Sequence, residues 1–536
     1  MRRAQSVVAM FVALVTASNV AACAGKHSGE SELPAVTVPA GLDAFYAQRV
    51  NWQECGTGET GGWLTGEPDA GLTCAYITAP LDYTAARDHA IADVATVQLA
   101  VARRAATGTK TGSLLSISGG PGQTGLAAAE GAVPDEVRES YDLVGYDPRG
   151  VGRSVPQIRC FPGESGDAPD PVTGEEQANR ATVANCVRDT GADLLRHIGP
   201  DEAVNDVDLI RAILGEPRIN LIAASYGTQV AAMYALRFPG NYRAAILDGV
   251  VDIAETQDEM LVGQKRGYQD SFDRLAAFCT SEYQASTHAE CPLGAEPGAA
   301  QQTFQQLLRD ADANPVPVPG SEPVAAGSIL GATTNGLLWR SEWVPYLQAL
   351  DGVRHGDGTA VQRLSKMFDN PVGQDDSSGL PAPRQPATDP AAAAADPNAI
   401  TAITCADTAE PTNDRAVRQH AAIARYEAAP YQNYEPRPAE FPLDVCDLWP
   451  FAGAVHPVVP SRADGAAPLL FVAQRHDPTT PAANAERMAQ YMRSPLLIRE
   501  SDGHTFVFGG VSSCIDDEVV RYLRDPRSVQ PKTCQE

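Results

Sequence analysis

Ser225 has the surroundings of a catalytic nucleophile. It follows a short apolar run that starts at Ile219, and it precedes an alanine-rich stretch of helical length. Ala223 and Gly227, two residues to either side, are small enough for the sharp turn of a strand–nucleophile–helix elbow. Such a turn pushes the serine hydroxyl out of the backbone, where it can attack a carbonyl carbon. Because small-x-Ser-x-Gly also arises by chance, the partners of Ser225 decide whether this serine is catalytic.

Asp477 and His504 supply the acid and the base that a serine nucleophile needs. Each comes soon after an apolar run typical of a strand, at residues 469–473 and 496–498. Loops at the C-terminal ends of strands meet along one edge of an open α/β sheet, so the three side chains can converge there. We predict that Ser225 attacks, that His504 carries its proton, and that Asp477 orients and stabilises the imidazole.

Two neighbouring residues compete for these roles. Asp502 is only two residues from His504 in a tight turn and follows no predicted strand, so Asp477 is the preferred acid. His476 adjoins that acid and is better explained as a loop histidine. A histidine that is merely exposed is the alternative for His504, and its position after the acid disfavours that alternative.

Backbone N–H groups that can stabilise a developing oxyanion are expected at two places. Tyr226 follows the nucleophile at the start of a predicted helix, where N–H groups favour negative charge. The glycine-rich run 119–122 ends an early strand, and glycine lets the backbone approach a substrate oxygen closely. We predict an oxyanion hole from the N–H groups of Gly120 and Tyr226. A glycine turn that only punctuates the chain is the alternative for the first.

Size and charge set broad limits on the molecule. The 536 residues, 43% of them hydrophobic, are enough for a large core, and length alone suggests about three domains. The net charge of −26 and a pI near 4.7 argue against nucleic acid or an anionic membrane surface as a partner. Acidity of this kind favours solubility and leaves the reaction open.

The N-terminus is typical of an export signal. Two arginines precede an apolar run at residues 7–15, which is too short to span a membrane as a helix. The small residues before Cys23 are similar to a bacterial lipobox, in which the cysteine becomes the lipid-bearing first residue. We expect a signal peptide at 1–23, a tether at 24–42, and membrane attachment only through the lipid. An ordinary secretory cleavage nearby is the alternative.

Cysteine content supports export. Besides Cys23 there are ten cysteines, and an even number in an exported chain favours disulfides. Spacing alone does not fix their connectivity, and pairing of sequence neighbours is the simplest hypothesis. The pairs would be Cys55–Cys74, Cys160–Cys186, Cys279–Cys291, Cys405–Cys446 and Cys514–Cys534. The absence of zinc-like Cys-x-x-Cys spacing argues against a metal site.

The order of strand and helix signals predicts an α/β fold with an insertion. The two signals alternate up to about residue 253 and again from 455, which indicates a mostly parallel sheet covered on both faces. In between, helical segments are longer and strand signals are poor. We predict one catalytic domain in two parts, 43–253 and 455–536, split by a helical cap at 254–454. Its stretch rich in proline, alanine and aspartate is expected to form a mobile loop at 370–398.

Taken together, the motifs resemble a known family from about Trp52 to Cys534. They are Gly-Gly-Pro-Gly, Asp-Pro-Arg-Gly-Val-Gly-Arg-Ser, Ser-Tyr-Gly-Thr, Leu-Asp-Gly-Val-Val-Asp, His-Asp-Pro-x-Thr-Pro and Gly-His-Thr. This ordered set is similar to the actinobacterial, including mycobacterial, tripeptidyl aminopeptidases, which are serine peptidases of the prolyl aminopeptidase family and the α/β-hydrolase superfamily. Two positions depart from the pattern: Ala223 replaces the first glycine of the elbow, and Ser118 stands where relatives often have Asn or Pro.

The resemblance implies an activity and a substrate. It implies an exported exopeptidase that releases short peptides from the free N-termini of peptides or proteins, through an acyl-enzyme and without a cofactor. In the family, acidic groups near the cap hold the substrate's amine, and Asp407 is the candidate here, with Asp252 and Glu342 as substitutes. A solvated aspartate in a disulfide loop is the alternative for Asp407.

Two other functions stay open at this point. An esterase or lipase can use the same triad, although a His-Gly-Gly-Gly loop and a strongly apolar cap are not evident. A catalytically silent hydrolase scaffold that only binds a ligand is the other, and an intact triad counts against it. The natural substrate, the subsite preferences and the oligomeric state do not follow from the sequence.

Overall fold

The computed structural model describes residues 36–56, 63, 71–164, 166, 168, 170–366, 397–407 and 414–535. The predicted signal peptide with Cys23, most of the tether and almost all of the predicted loop 370–398 lie outside these residues and stay predictions.

A ten-stranded sheet forms the centre of the molecule. Its strands are β1 Gln53–Glu54, β2 Leu72–Pro80, β3 Thr96–Arg104, β4 Gly112–Ile117, β5 Tyr141–Tyr146, β6 Ile219–Ala224, β7 Tyr242–Asp248, β8 Leu470–His476, β9 Leu496–Asp502 and β10 Lys532–Cys534. Their spatial order is β1-β2-β3-β5-β4-β6-β7-β8-β9-β10. Pairing is antiparallel from β1 to β5 and parallel from there to β10. The prediction of a mostly parallel sheet is confirmed.

Helices connect these strands and fill the insertion between β7 and β8. They are α1 Asp43–Tyr46, α2 Asp135–Ser140, α3 Pro171–Thr190, α4 Ala192–Leu195, α5 Pro200–Ile213, α6 Tyr226–Arg237, α7 Gln257–Phe278, α8 Gln284–Thr287, α9 Ala300–Ala313, α10 Ala326–Leu337, α11 Trp343–Arg354, α12 Thr359–Ser365, α13 Pro397–Asp407, α14 Arg415–Ala428, α15 Ala482–Tyr491 and α16 Ser513–Arg524. Short 3₁₀ helices lie at Ile91–Asp93, Leu126–Glu130, Pro297–Ala299, Arg340–Glu342 and Pro430–Gln432, and a π-helical turn at Cys279–Tyr283. Within the described part of the chain, no helix is both long and apolar enough to cross a membrane.

Strand β6 shows why the sheet is buried on both faces. Its residues are all buried, and alternate side chains enter different cores: Leu221 belongs to one hydrophobic cluster and Ile222 to another. Side chains of a strand alternate between the two faces of a sheet, so a continuous apolar run places apolar groups on both. The elbow therefore follows a strand in the middle of the buried sheet.

The insertion has a hydrophobic core of its own. Phe272 of α7 packs on Phe304 of α9 and stacks on Tyr431, with ring centroids 5.2 and 4.7 Å apart. Trp343 and Tyr346 of α11 are fully buried in the same cluster. Helix α7 starts with a capping box, in which the Thr256 N–H donates to Glu259 and the Glu259 N–H donates to the Thr256 hydroxyl.

The last part of the insertion packs elsewhere. Ala399, Ala402 and Ile403 of α13, with Trp449, belong to the main core beneath the sheet rather than to the insertion's core. The structure also contains all five disulfides in the predicted pairing. One of them, Cys405–Cys446, ties α13 to the chain that leads back into β8.

Arg149, from the Asp-Pro-Arg-Gly motif, is a structural residue in this fold. It is 1% exposed, and its Nε and Nη2 donate to the two carboxylate oxygens of Asp206 at 2.8 and 2.7 Å. Its Nη1 also donates to the carbonyls of Leu81 and His197. One guanidinium thus joins β2, α5 and the loop after β5.

We expect Arg149→Met to destabilise the protein by about 3–5 kcal/mol, because it leaves the buried Asp206 carboxylate without its cation. Arg153→Met is the matched control, since Arg153 belongs to the same motif but has an exposed side chain. Its effect should stay within about 0.5 kcal/mol. Urea unfolding of both variants measures the difference, and equal midpoints would contradict a structural role for Arg149.

Candidate active site

Ser225 occupies a strained turn between β6 and α6. Its φ of 53° and ψ of −125° are conformations that non-glycine residues rarely adopt. The turn is held by packing, because a β-carbon at Gly227 would overlap the Ile117 carbonyl oxygen and lie 2.8 Å from that of Ser118. The Ser225 N–H also donates to the Asp248 carbonyl at 2.8 Å. The strained turn lies directly after the last residue of β6, so Ser225 is at the C-terminal edge of the sheet.

Asp477 and His504 meet in a buried pair. The His504 Nδ1 lies 2.8 and 3.0 Å from the two carboxylate oxygens of Asp477, and the residues are 5% and 3% exposed. The N–H groups of Thr479 and Thr480 each donate to Asp477 Oδ1 at 2.8 Å. Such contacts fix both the carboxylate and the imidazole, and Nε2, the ring nitrogen on the far side from Asp477, is the one that a base would use.

Thr480 is a site residue that sequence reasoning missed. Its hydroxyl donates to Asp477 Oδ2 at 2.9 Å and lies 3.2 Å from His504 Nδ1. A local signal was available in the sequence. An aspartate followed by Pro-Thr-Thr-Pro favours a turn in which the carboxylate accepts hydrogen bonds from the N–H groups two and three residues further on.

The two competing residues have other partners. Strand β9 extends to Asp502, where it pairs with His476 of β8, so the expectation that Asp502 follows no strand is wrong. Its carboxylate binds the guanidinium of Arg274, with Nη2 at 3.1 Å. His476 Nδ1 lies 3.2 Å from Asp270. Helix α7 supplies both partners, and the acid beside His504 is Asp477.

Ser225 and His504 each contact the turn after β7. The Ser225 N–H binds the carbonyl of Asp248, and Gly249 follows with φ +69°. A β-carbon at Gly249 would lie 2.9 Å from Cε1 of the His504 ring. The structure therefore brings the predicted nucleophile and base to the same two residues, and a side chain at Gly249 would displace the imidazole.

The glycine-rich loop after β4 lies against the nucleophile. A β-carbon at Gly119 would lie 2.9 Å from the Ser225 β-carbon. The Gly119 N–H donates to Gln123 Oε1 at 3.1 Å. In the part of the chain that the structure describes, the N–H groups of Gly120 and Tyr226 have no hydrogen-bond acceptor. Both are available for a substrate oxygen, as an oxyanion hole requires.

The end of this loop is held by Asp147. The N–H groups of Gly125 and Arg153 donate to its two carboxylate oxygens, both at 2.8 Å. Ser118 is 5% exposed and turns its hydroxyl toward the Thr124 carbonyl, 3.4 Å away. The hydroxyl thus closes the loop internally.

Asp407 is buried behind the elbow without a cation. Its carboxylate accepts hydrogen bonds from the Tyr226 hydroxyl and from Gln229 Nε2, each at 3.2 Å. It lines a cavity of about 380 Å³ together with Arg418 and Arg425, and among the described residues neither arginine forms a salt bridge with Asp407. Burial raises the pKa of Asp407 to about 7, and the two hydrogen bonds only partly offset that rise. A cation in the cavity would favour the ionised form.

Asp252 and Glu342, the alternative candidates for binding the substrate's amine, differ in their partners. Asp252 is already paired with Arg487, whose Nε donates to it at 2.6 Å. Glu342 lies in the 3₁₀ helix before α11, and its Oε2 is buried without a hydrogen-bond partner among the described residues. Burial raises the pKa of Glu342 as well.

Two known families match parts of this chain. The α/β hydrolase fold family matches residues 112–295, and the family described as TAP-like protein matches residues 432–534. The hydrolase YuaR of Escherichia coli is 34% identical over 91% of this chain and 93% of its own.

Named enzymes are also among the relatives. In Mycobacterium tuberculosis these are the serine protease Hip1, 32% identical over 89% of both chains, and carboxylesterase B, 30% identical over 84% of both. The tripeptidyl aminopeptidase of Streptomyces coelicolor is 29% identical over 88% of this chain and 83% of its own.

The raised pKa of Asp407 predicts a pH-dependent stability. The folded state keeps this proton up to about pH 7, whereas the unfolded chain loses it near 3.9. The group's contribution is therefore full below about pH 4 and lost as the pH rises to about 7, by up to about 4 kcal/mol. Asp407→Asn removes this titration, so its unfolding free energy should fall less between pH 5 and pH 8 than that of the wild type.

The control is Asp193→Asn, whose parent side chain is 88% exposed. It should follow the wild-type pH dependence in urea unfolding. Parallel curves for wild type and Asp407→Asn would contradict the raised pKa.

Proposed function

Because this chain belongs to the α/β-hydrolase family and is a serine hydrolase, we propose that it is an exported aminopeptidase that releases short peptides, tripeptides above all, from free N-termini. The single observation that carries the proposal is the buried cation-free carboxylate of Asp407, hydrogen-bonded to the residue that follows the nucleophile. Two relatives are named serine protease and tripeptidyl aminopeptidase.

Ser225, His504 and Asp477 carry the reaction in this proposal. His504 Nε2 takes the hydroxyl proton as Ser225 Oγ bonds to the carbonyl carbon, and Asp477 stabilises the resulting imidazolium. The oxyanion accepts from the N–H groups of Gly120 and Tyr226. His504 then protonates the leaving amine as the C–N bond breaks, which leaves an acyl-enzyme on Ser225. Water, deprotonated by His504, releases the short peptide as a carboxylic acid.

Asp407 makes the enzyme an exopeptidase rather than an endopeptidase. An α-ammonium group that enters the cavity needs an anionic partner. Asp407 can take that role because the two arginines that also line the cavity, Arg418 and Arg425, form their salt bridges with other carboxylates. The Tyr226 hydroxyl connects the two ends of the substrate site, since its residue is both a proposed oxyanion donor and a hydrogen-bond donor to Asp407. The amine is thereby held at a fixed distance from the scissile carbonyl.

Export is supported by the five disulfides, because such bonds persist in oxidising compartments. The proposed location is the cell envelope, with Cys23 as the lipid anchor, or the secreted fraction after an ordinary cleavage.

An esterase is the second candidate, and the resemblance to carboxylesterase B is the observation that favours it. The same nucleophile, base and oxyanion donors serve ester and amide bonds alike. The two functions differ in what they require of the substrate, since an acyl ester carries no ammonium group.

Variants of the three catalytic residues test the chemistry. Ser225→Ala should fold and lose turnover by about 10⁶, by analogy with triad removal in subtilisin. Asp477→Asn should lose roughly 10⁴, because the imidazole then takes the wrong tautomer. Asp502→Asn is the matched control and should be mild, since Asp502 binds Arg274. The measurement is kcat on a peptide amide, and the reverse ranking of the two aspartates would transfer the acid role to Asp502.

The demand for a free amine tests the proposed specificity. Removing one member of a buried ion pair costs about 3–5 kcal/mol, or roughly two to three and a half decades in kcat/KM. N-acetylation of a tripeptide amide should nearly abolish its cleavage, and Asp407→Asn should reproduce much of that loss. The wild-type preference for the free amine should grow as the pH rises through about 7, where Asp407 ionises. This pH-dependent increase should be absent from Asp407→Asn.

Glu342→Gln is the matched variant for this comparison, because Glu342 is the other buried carboxylate considered for the amine. Equal kcat/KM on free and acetylated substrates would overturn the aminopeptidase and favour the esterase. An amine preference lost in Glu342→Gln but kept in Asp407→Asn would move the anchor to Glu342.

A further inference from the structure

The insertion reaches down to the loop that carries His504. The His504 N–H donates to the Leu338 carbonyl at 2.8 Å, and the Trp339 indole Nε1–H donates to the His504 carbonyl at 3.0 Å. Trp339 and Gly503 also form an isolated antiparallel bridge. Both backbone polar groups of the proposed base are thus bonded to two consecutive residues of the insertion, which we call the 338–339 strap.

The strap is fixed to the insertion's own core. It connects α10 to the 3₁₀ helix Arg340–Glu342, and Leu338 is 9% exposed within that core. The next residue, Arg340, places its guanidinium over the rings of Phe278 and Trp343, 4.0 and 4.2 Å from their centroids. A strap held on both sides in this way transmits the position of the insertion to whatever it contacts.

Gly503, which precedes His504, also lies close to the strap. Gly503 has φ +133°, and a β-carbon there would lie 3.2 Å from the Leu338 carbonyl oxygen and 2.9 Å from Gln474 Nε2. A side chain at residue 503 would crowd the strap and would be strained at this φ, so glycine suits the close approach.

Helix α7 of the same insertion supports the acid. A β-carbon at Gly267 would overlap the Pro478 carbonyl oxygen, and the Tyr268 hydroxyl lies 3.3 Å from Thr479 Oγ1. The insertion therefore contacts the loops on both sides of the Asp477–His504 pair.

We propose that the insertion positions the catalytic base, and that Trp339 is the positioning residue that holds His504 through its backbone carbonyl. Asp477 fixes the His504 ring through Nδ1, and the strap fixes the backbone of His504. Together these contacts determine the position and orientation of Nε2. This inference rests on the proposed function, because it requires His504 to be the base.

The test is Trp339→Phe, which removes the indole N–H and keeps an aromatic ring. Trp449→Phe is the matched control, because the Trp449 Nε1 is buried without a hydrogen-bond partner in the described residues and its ring lies in the main core rather than in the core that anchors the strap. We expect Trp339→Phe to lower kcat roughly 10-fold with KM within about twofold, less than the roughly 10²-fold that a 1 Å misplacement can cost. Trp449→Phe should leave kcat within about twofold.

Two substrates and one probe make the readout independent of peptide specificity. Hydrolysis of p-nitrophenyl acetate and of a tripeptide amide should fall together, and so should the rate of fluorophosphonate labelling of Ser225. A purely structural role would lower the melting temperature or raise KM and spare the labelling rate. Trp339→Tyr, which also lacks the indole donor, is measured alongside so that poor folding of one variant does not decide the outcome.

Unchanged kcat in well-folded Trp339 variants would overturn the proposal, and so would an equal loss in Trp449→Phe, which would indicate that any loss of core packing lowers kcat. A rise in KM with unchanged kcat would overturn it as well. His504→Ala separates this failure from failure of the proposed function: it should abolish labelling if His504 is the base, whatever the Trp339 variants do.

Discussion

The strained backbone at Ser225 is the constraint on which the rest of the site depends. A positive φ at a serine is unfavourable, and it persists only because surrounding contacts leave no other conformation. Gly227 against the carbonyls of β4 and the Ser225 N–H on Asp248 supply those contacts. Since β4, β6 and β7 are neighbours in the buried sheet, the rigidity of the core maintains the strained turn at Ser225, a residue that is only 9% exposed.

Buried carboxylates around this elbow differ in their partners, and that difference assigns their tasks. Asp477 faces an imidazole and Asp502 faces a guanidinium, so each has a positive or protonatable neighbour. Asp147 accepts backbone N–H groups and shapes the glycine-rich loop. Asp407 has only neutral donors, and burial raises its pKa. A ligand that supplies a positive charge would complete that set.

The insertion contributes contacts to the site. Helix α7 contacts the residues that follow Asp477 and binds Asp502, and the 338–339 strap binds the backbone of His504. Helix α13 returns to the main core and brings Asp407 to the elbow. A change in any of these helices would therefore be felt at the proposed reacting groups, because packed interiors transmit displacement.

The sequence alone determined what depends on local chemistry: the elbow around Ser225, the order of acid and base, and the mostly parallel sheet that apolar runs produce. The sequence did not show that Asp502 lies in a strand, because the polar end of β9 is stabilised by pairing with β8 rather than by the strand preference of its own residues. Only the tertiary structure decided the burial of Asp407, 181 positions from the Tyr226 hydroxyl it binds, and the contact of Trp339 with His504, 165 positions away. Such contacts depend on how helices pack in three dimensions, which neither periodicity nor motif spacing encodes.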